Sequence, residues 1–181
     1  MRNTAVNKLV IAALLCAIGI VIPMFSPFKI VLEPASFTLG SHIAIIIAMF
    51  ISPEVAVAVA LGTALGFFLG GFPLVIVMRA ATHVIFALVG ALILKKKPDI
   101  LGSVPQTGVF AVGIAAIHAL CEMAVVMPFY FGNHMSSAYY TKGFLTSVVM
   151  LVGVGTFVHS LVDFTIALLI WKPLQRWRSP V

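Results

Sequence analysis

Long apolar runs broken by short polar or glycine- and proline-rich stretches dominate this chain, and the runs are of membrane-crossing length. A bilayer's hydrocarbon core, about 30 Å thick, takes about 20 apolar residues per helical crossing and tolerates no irregular backbone against lipid, so each run reads as a helix. Six are predicted, roughly Leu9 to Met24, Phe37 to Ile51, Val55 to Gly71, Phe72 to Leu94, Val104 to Phe131 and Phe144 to Trp171. The second and third are short and must stand steeply or lie covered by neighbours, whereas the last two exceed a bilayer and must tilt or protrude. The minimal turns Ser52-Pro53-Glu54 and Gly70-Gly71-Phe72-Pro73 make helices two and three, and three and four, antiparallel neighbours. Two connections on the opposite side are longer. Ser26 to Ser36 is apolar enough to pack, with prolines that bar a simple helix, and suits a lid. Gly132 to Gly143 combines turn formers with Tyr139 and Tyr140, which are placed to close over a ligand.

Composition agrees with this reading. Of 181 residues, 62% are hydrophobic and 9% charged, which excludes an ordinary soluble domain and leaves an all-α integral membrane protein, one six-helix transmembrane domain over residues 1–181. The first run follows Arg2 and Lys8 as a secretory signal would, but Ile22-Pro23-Met24-Phe25-Ser26 offers no small-x-small cleavage site, so it is kept as a helix. Six crossings put the termini, the Ser52 to Glu54 turn and the Lys95 to Ile100 loop on one side. That side carries Arg2, Lys8, Lys95, Lys96, Lys97, Lys172, Arg176 and Arg178, against Lys29 and Lys142 on the other. The positive-inside rule then places both ends in the cytoplasm, with a bacterial plasma membrane expected, and makes the net charge of +6 a topology signal that gives no reason to expect nucleic acid as a partner. Trp171 and Trp177 suit the inner aromatic belt. Cys16 and Cys121 fall inside spans without disulfide or metal spacing and are expected to be small buried residues.

Small residues mark close helix approaches. Gly62, Gly66 and Gly70 form two GxxxG steps on one face of helix three, a packing surface, and Ala13 and Ala17 form a small-xxx-small step on helix one that suits an internal neighbour or a second protein.

Seven ionisable side chains lie within the spans, each costing about 2.5–3.5 kcal/mol on insertion scales and therefore requiring a partner or a function. Arg79 and His83, His118 and Glu122, and His159 and Asp163 are pairs spaced four apart, each pair on one helix face turned inward, and His42 is the seventh. Counting about 1.5 Å per residue from the outer ends, His42, Arg79, Glu122 and His83 lie about 8–16 Å deep and form one outward-opening cavity. His118 and His159 come at about 20–22 Å and Asp163 at about 28 Å, which puts His159, Asp163 and Thr156 on a separate, deeper polar face. The guanidinium of Arg79 matches an anionic substrate in a bidentate pair, and equally matches Glu122. His42, His83 and Glu122 either touch the substrate or orient Arg79. Phe37, Phe129, Tyr130, Tyr139 and Tyr140 gather near the same outer level, where a flat ring stacks or the aromatics simply pack. No Walker A, Gly-x-Ser-x-Gly or His-Glu-x-x-His motif occurs, so no catalytic residue, metal or cofactor is expected and the chain is not expected to be an enzyme. A haem-binding redox protein using two of the histidines is the alternative from another class.

Several runs carry a family resemblance. Glu33-Pro34-Ala35-Ser36-Phe37-Thr38-Leu39-Gly40-Ser41-His42, Met49-Phe50-Ile51-Ser52-Pro53, Leu61-Gly62-Thr63-Ala64-Leu65-Gly66-Phe67-Phe68 and Arg79-Ala80-Ala81-Thr82-His83 resemble the substrate-binding S components of energy-coupling factor (ECF) vitamin transporters, in particular the niacin-type (NiaX) group. The resemblance implies a six-helix protein with cytoplasmic termini that captures the vitamin, nicotinate for this group, from outside beneath the loop between helices one and two. It also implies that Ala13 and Ala17, matching the Ala-x-x-x-Ala docking motif, meet a transmembrane coupling subunit (EcfT-type) that works with two ATPase subunits. Another small vitamin or precursor, or a self-sufficient carrier, are the alternatives within transport.

Overall fold

A computed structural model describes residues 4–32 and 35–178, and their side chains apart from those of residues 4, 29–32, 35–36 and 176–178. The Glu33-Pro34 part of the expected lid and Arg2 lie outside the described residues. The chain forms α1 (Thr4–Phe25), a hairpin of β1 (Lys29–Leu32) and β2 (Ala35–Thr38), α2 (Ile43–Ile51), α3 (Pro53–Leu69), α4 (Leu74–Lys96) and a 3-10 turn (Pro98–Gly102). It continues through α5 (Val104–Phe131), a short α6 (Ser137–Thr141) and a π-helical segment (Leu145–Val154) that runs into α7 (Gly155–Arg178). Four helical stretches are long and apolar enough to cross a membrane: Ala5–Phe25, Leu74–Lys96, Val104–Phe131 and Leu145–Gln175. The structure is that of an all-helical membrane protein with one small hairpin.

The largest departure from expectation is the second run. Instead of a helix from Phe37, the chain pairs β1 with β2 antiparallel, turns at Thr38 to His42, and becomes helical only at Ile43. Gly40 stands at φ +84°, a left-handed conformation that ends any helix started upstream. The helix that follows has nine residues, about 14 Å or half a bilayer. Ala44, Ile45, Ile46, Ala48 and Met49 are buried around its whole circumference, so α2 is the central core helix and contacts α1, α3, α4 and α7. Irregular backbone at this depth is tolerated because it is enclosed by protein. The half of the bundle nearer the α2–α3 turn is therefore packed with apolar side chains from α2, α3, α4, α5 and α7, and the opposite half, beside the hairpin, holds the polar groups.

Local chemistry explains the sharp α2–α3 turn. The Ser52 hydroxyl accepts from the Val55 N–H at 3.3 Å, and Pro53 occupies the first helical position, where no N–H is needed. Lys8 reaches Glu54 at 3.2 Å, and Lys8, Glu54 and Lys95 border one groove, so these charged groups share one end of the bundle.

α1 packs on α3 through glycine. A Cβ on Gly62 would stand 2.5 Å from the Cys16 sulfur, and one on Gly66 would collide with the Ile20 side chain. Gly70 does not share this face; it terminates α3, donating its N–H to Gly66. Cys16 is half-buried rather than buried, its thiol turned toward the Ala58 carbonyl at 3.6 Å, and Cys121 is also half-buried. Trp171 is not in an interfacial belt. It is buried in the core, its ring 5.7 Å from that of Phe50. Trp177 has no described side chain. While Ala12 and Leu15 are buried in the core, the opposite face of α1 is exposed, including Ala13 and Ala17 with Leu9, Val10, Leu14, Ile18 and Val21.

Candidate functional site

A cavity of about 120 Å³ lies in the half of the bundle beside the hairpin, walled by the hairpin, the Thr38 to His42 turn, α3, α4, α5 and α7. Its lining includes Phe37, His42, Arg79, His83 and Glu122, as the sequence predicts, together with Ser41, Thr63, Phe67, Phe72, Thr156 and His159. At about 30 Å³ per water in the liquid, the space corresponds to roughly four waters, the scale of a single small-ring molecule.

Arg79 and Glu122 pair directly, Nη2 to Oε2 at 2.7 Å, and both are largely buried. Thr156 donates to the same carboxylate oxygen at 2.6 Å, and His83 Nε2 and His118 Nε2 each stand 3.4 Å from Oε1. One carboxylate thus gathers α4, α5 and α7. Of the two open readings of Arg79, the ion pair is present, yet its fork is not used up: Arg79 Nε, His83 Nδ1 and Thr63 Oγ1, all from cavity-lining residues, are buried with no hydrogen-bond partner among the described residues. Each such orphan costs about 1–3 kcal/mol, which a polar ligand would relieve.

The separate deep face expected for His159, Asp163 and Thr156 does not exist. Asp163, fully buried, accepts from the backbone N–H of Gly40 at 2.8 Å and of His42 at 2.9 Å, and its Oδ2 lies 3.0 Å from His42 Nδ1. It caps α2 from across the bundle, satisfying donors at the positive end of that helix. His159 bonds Ser41 at 3.0 Å and lies 5.6 Å, ring to ring, from Phe37, and both line the cavity. Two physical effects defeated the depth count. The π-helical segment has more residues per turn and less rise than the straight helix assumed, which carries α7 residues outward, and the turn before α2 dips inward to meet them. The 3–4 spacing of Thr156, His159, Ser160 and Asp163 did mark one helix face; depth, not periodicity, misled.

The aromatics divide. Phe37 lines the cavity and lies against Gly155, where a Cβ would sit 2.6 Å from its ring. Phe67 and Phe72, unremarked in the sequence, stack at 4.7 Å in the same wall. Tyr130 and Tyr139 do not line it. Tyr130 packs in the outer-loop cluster, 5.0 Å from the Tyr140 ring, and Tyr140 donates to the Tyr130 carbonyl at 3.1 Å; Tyr139 is buried, its carbonyl accepting from Ser147 at 2.7 Å. These residues fix the outer loop. A porphyrin has no room: the rings of His83, His118 and His159 each lie 4.7–5.0 Å from that of His42.

Comparison with known proteins decides the family. The chain is 39% identical over 167 residues, covering 92% of its own length and 74% of the other protein, to the niacin transporter NiaX of Lactococcus lactis subsp. cremoris strain MG1363. It belongs to the NiaX niacin-transporter family. No protein-family model matches the chain, and no solved structure matches it. Membership in the NiaX family makes this a multi-pass membrane protein of a transporter family and not an enzyme. Within that family, the cavity of Arg79, Glu122 and the histidines is the candidate substrate site of this chain.

Proposed function

We propose that the chain is the niacin-binding S component of an ECF-type transporter, holding nicotinate in the outer cavity and releasing it inward with a coupling subunit and two ATPase subunits. The observation that carries this reading is Arg79. Its guanidinium is anchored by Glu122 through Nη2 while Nε, on the edge of the same planar group, has no partner among the described residues. A fork fixed on one side and left unsatisfied on another is suited to a carboxylate. Phe37, Phe67 and Phe72 supply flat apolar surface for the pyridine ring, and His42, His83, Ser41 and Thr63 supply polar groups for its nitrogen. Tyr130 and Tyr139 act through the outer loop that covers this end. The β1–β2 hairpin, which brings Phe37 and Thr38 to the cavity, is the lid.

The same reading has six crossings, with α2 and its hairpin together forming the second, and cytoplasmic termini. The gathering of Lys8, Glu54 and Lys95 at the end opposite the cavity supports that orientation under the positive-inside rule. Ala13 and Ala17 serve as the docking step for the coupling subunit; their exposure on an apolar helix face supports this. Binding of radiolabelled nicotinate to the purified chain, with competition by nicotinate and by nicotinamide, tests the site. The acid is expected to compete better than the neutral amide, and an amide that competes equally well removes the arginine anchor.

A further inference from the structure

In the wall of the cavity three histidines close into a triangle. His42 precedes α2, His83 is on α4 and His118 on α5, and their ring centroids stand 4.7–4.8 Å apart pairwise. Glu122 completes the group, and one donor atom from each of the four lies within 4.8 Å of all the others. All four are buried.

Three observations separate this arrangement from packed core histidines. The first is outer-shell orientation. His118 Nδ1 is held by the Ser160 hydroxyl at 2.5 Å, and His42 Nδ1 by Asp163 at 3.0 Å, so in both rings the Nε2 is the nitrogen left to face the cluster. Metal-bound histidines are fixed this way, with the far nitrogen donating to a carboxylate or hydroxyl. The second is that His118 Nε2, the nitrogen turned to the cluster, is buried without a hydrogen-bond partner among the described residues. The third is spacing. Glu122 Oε1 stands 3.4 Å from His83 Nε2 and from His118 Nε2, long for a hydrogen bond but close to the donor separation of about 3.3 Å in a tetrahedral site with bonds of about 2.0–2.1 Å. Even a donor pair 4.8 Å apart requires each atom to move inward by only roughly 0.9 Å.

We propose that His42, His83, His118 and Glu122 form a binding site for a divalent transition-metal ion of the Zn²⁺, Ni²⁺ or Co²⁺ class. Three imidazoles and one carboxylate suit these ions and not Mg²⁺ or Ca²⁺, which take oxygen donors. Arg79 does not block the site, since it engages the opposite oxygen of Glu122. With the histidines neutral, Arg79, Glu122 and Asp163 sum to one net negative charge, which favours a cation. A bound dication makes the wall net positive and draws in a carboxylate; that last consequence rests on the niacin reading, whereas the metal site does not.

Co²⁺ titration of the purified full chain, untagged by polyhistidine and free of vitamin, tests the site through visible absorption. One equivalent is expected to bind with the intense d–d bands of a four-coordinate ion. His118→Gln should abolish those bands, while His134→Gln, at an exposed loop histidine, should keep them. No saturable binding by the wild type, or unchanged bands in folded His118→Gln, overturns the proposal. Should that variant fail to fold, X-ray absorption at the cobalt edge of the wild type decides: a shell of three imidazoles supports the site and two or fewer overturn it. Nicotinate binding measured in EDTA is a separate readout, so the metal site and the vitamin site fail independently.

Discussion

Replacing Arg79 with methionine keeps an unbranched apolar stem while removing both the charge and the fork. Two consequences follow from the geometry. The 2.7 Å contact with Glu122 is lost, leaving a buried carboxylate without its counter-ion, at a cost of about 3–5 kcal/mol in stability. Nicotinate also loses its anchor; charge-assisted hydrogen bonds to a carboxylate contribute about 1.5–3 kcal/mol each, so a loss of about 2–4 kcal/mol, or roughly 30- to 1000-fold in affinity, is expected. To separate the two effects, Arg79→Met is paired with Arg79→Met/Glu122→Gln, which leaves no uncompensated charge behind. The assay is displacement of labelled nicotinate from detergent-purified, monodisperse protein by the acid and by the amide. Nicotinamide affinity should change by less than about tenfold, since the amide makes at most neutral hydrogen bonds with Arg79. The decisive quantity is therefore the ratio of acid to amide affinity, which general loosening of the fold does not move. A folded double variant that keeps the wild-type preference for the acid refutes the anchor.

Asp163→Asn leaves one of the Gly40 and His42 N–H groups poorly matched at the start of α2 and should cost about 2–4 kcal/mol, seen as a lower Tm together with weakened nicotinate binding, because the same turn walls the cavity. Gly66→Val forces a side chain into Ile20 and should destabilise by about 1–3 kcal/mol, whereas Gly113→Ala, with nothing within 4 Å of the new methyl, should leave Tm within about a degree of wild type; equal effects would show that the α1–α3 contact is not tight. Ala13→Trp/Ala17→Trp should leave nicotinate binding intact but stop cellular uptake, and undiminished uptake removes the docking role.

The sequence disclosed most of the helices because lipid imposes a simple length rule on apolar runs, and α5 came out with its bounds unchanged at Val104 and Phe131. It also disclosed Arg79, His83, Glu122 and His42 as one group, since ionisable residues in a span must turn inward. What it hid was tertiary. The Phe37 to His42 stretch is apolar enough to pass for helix, but pairing with β1 and two bonds to Asp163, over a hundred residues away, hold its backbone in a strand and turn instead. No local pattern carries that information. The merging of His159 and Asp163 with the outer cluster was hidden for a related reason, because a π-helical stretch is set by backbone hydrogen bonding that residue periodicity does not announce. The docking step at Ala13 and Ala17 was visible as a pattern, and the structure adds that it faces outward.

Equilibrium binding of radiolabelled nicotinate to the purified wild-type chain, in the absence of any coupling subunit or ATPase, addresses the central claim most directly. Saturable binding of one nicotinate per chain, displaced by unlabelled acid more effectively than by amide, is the predicted result. Folded, monodisperse protein that binds no nicotinate contradicts it.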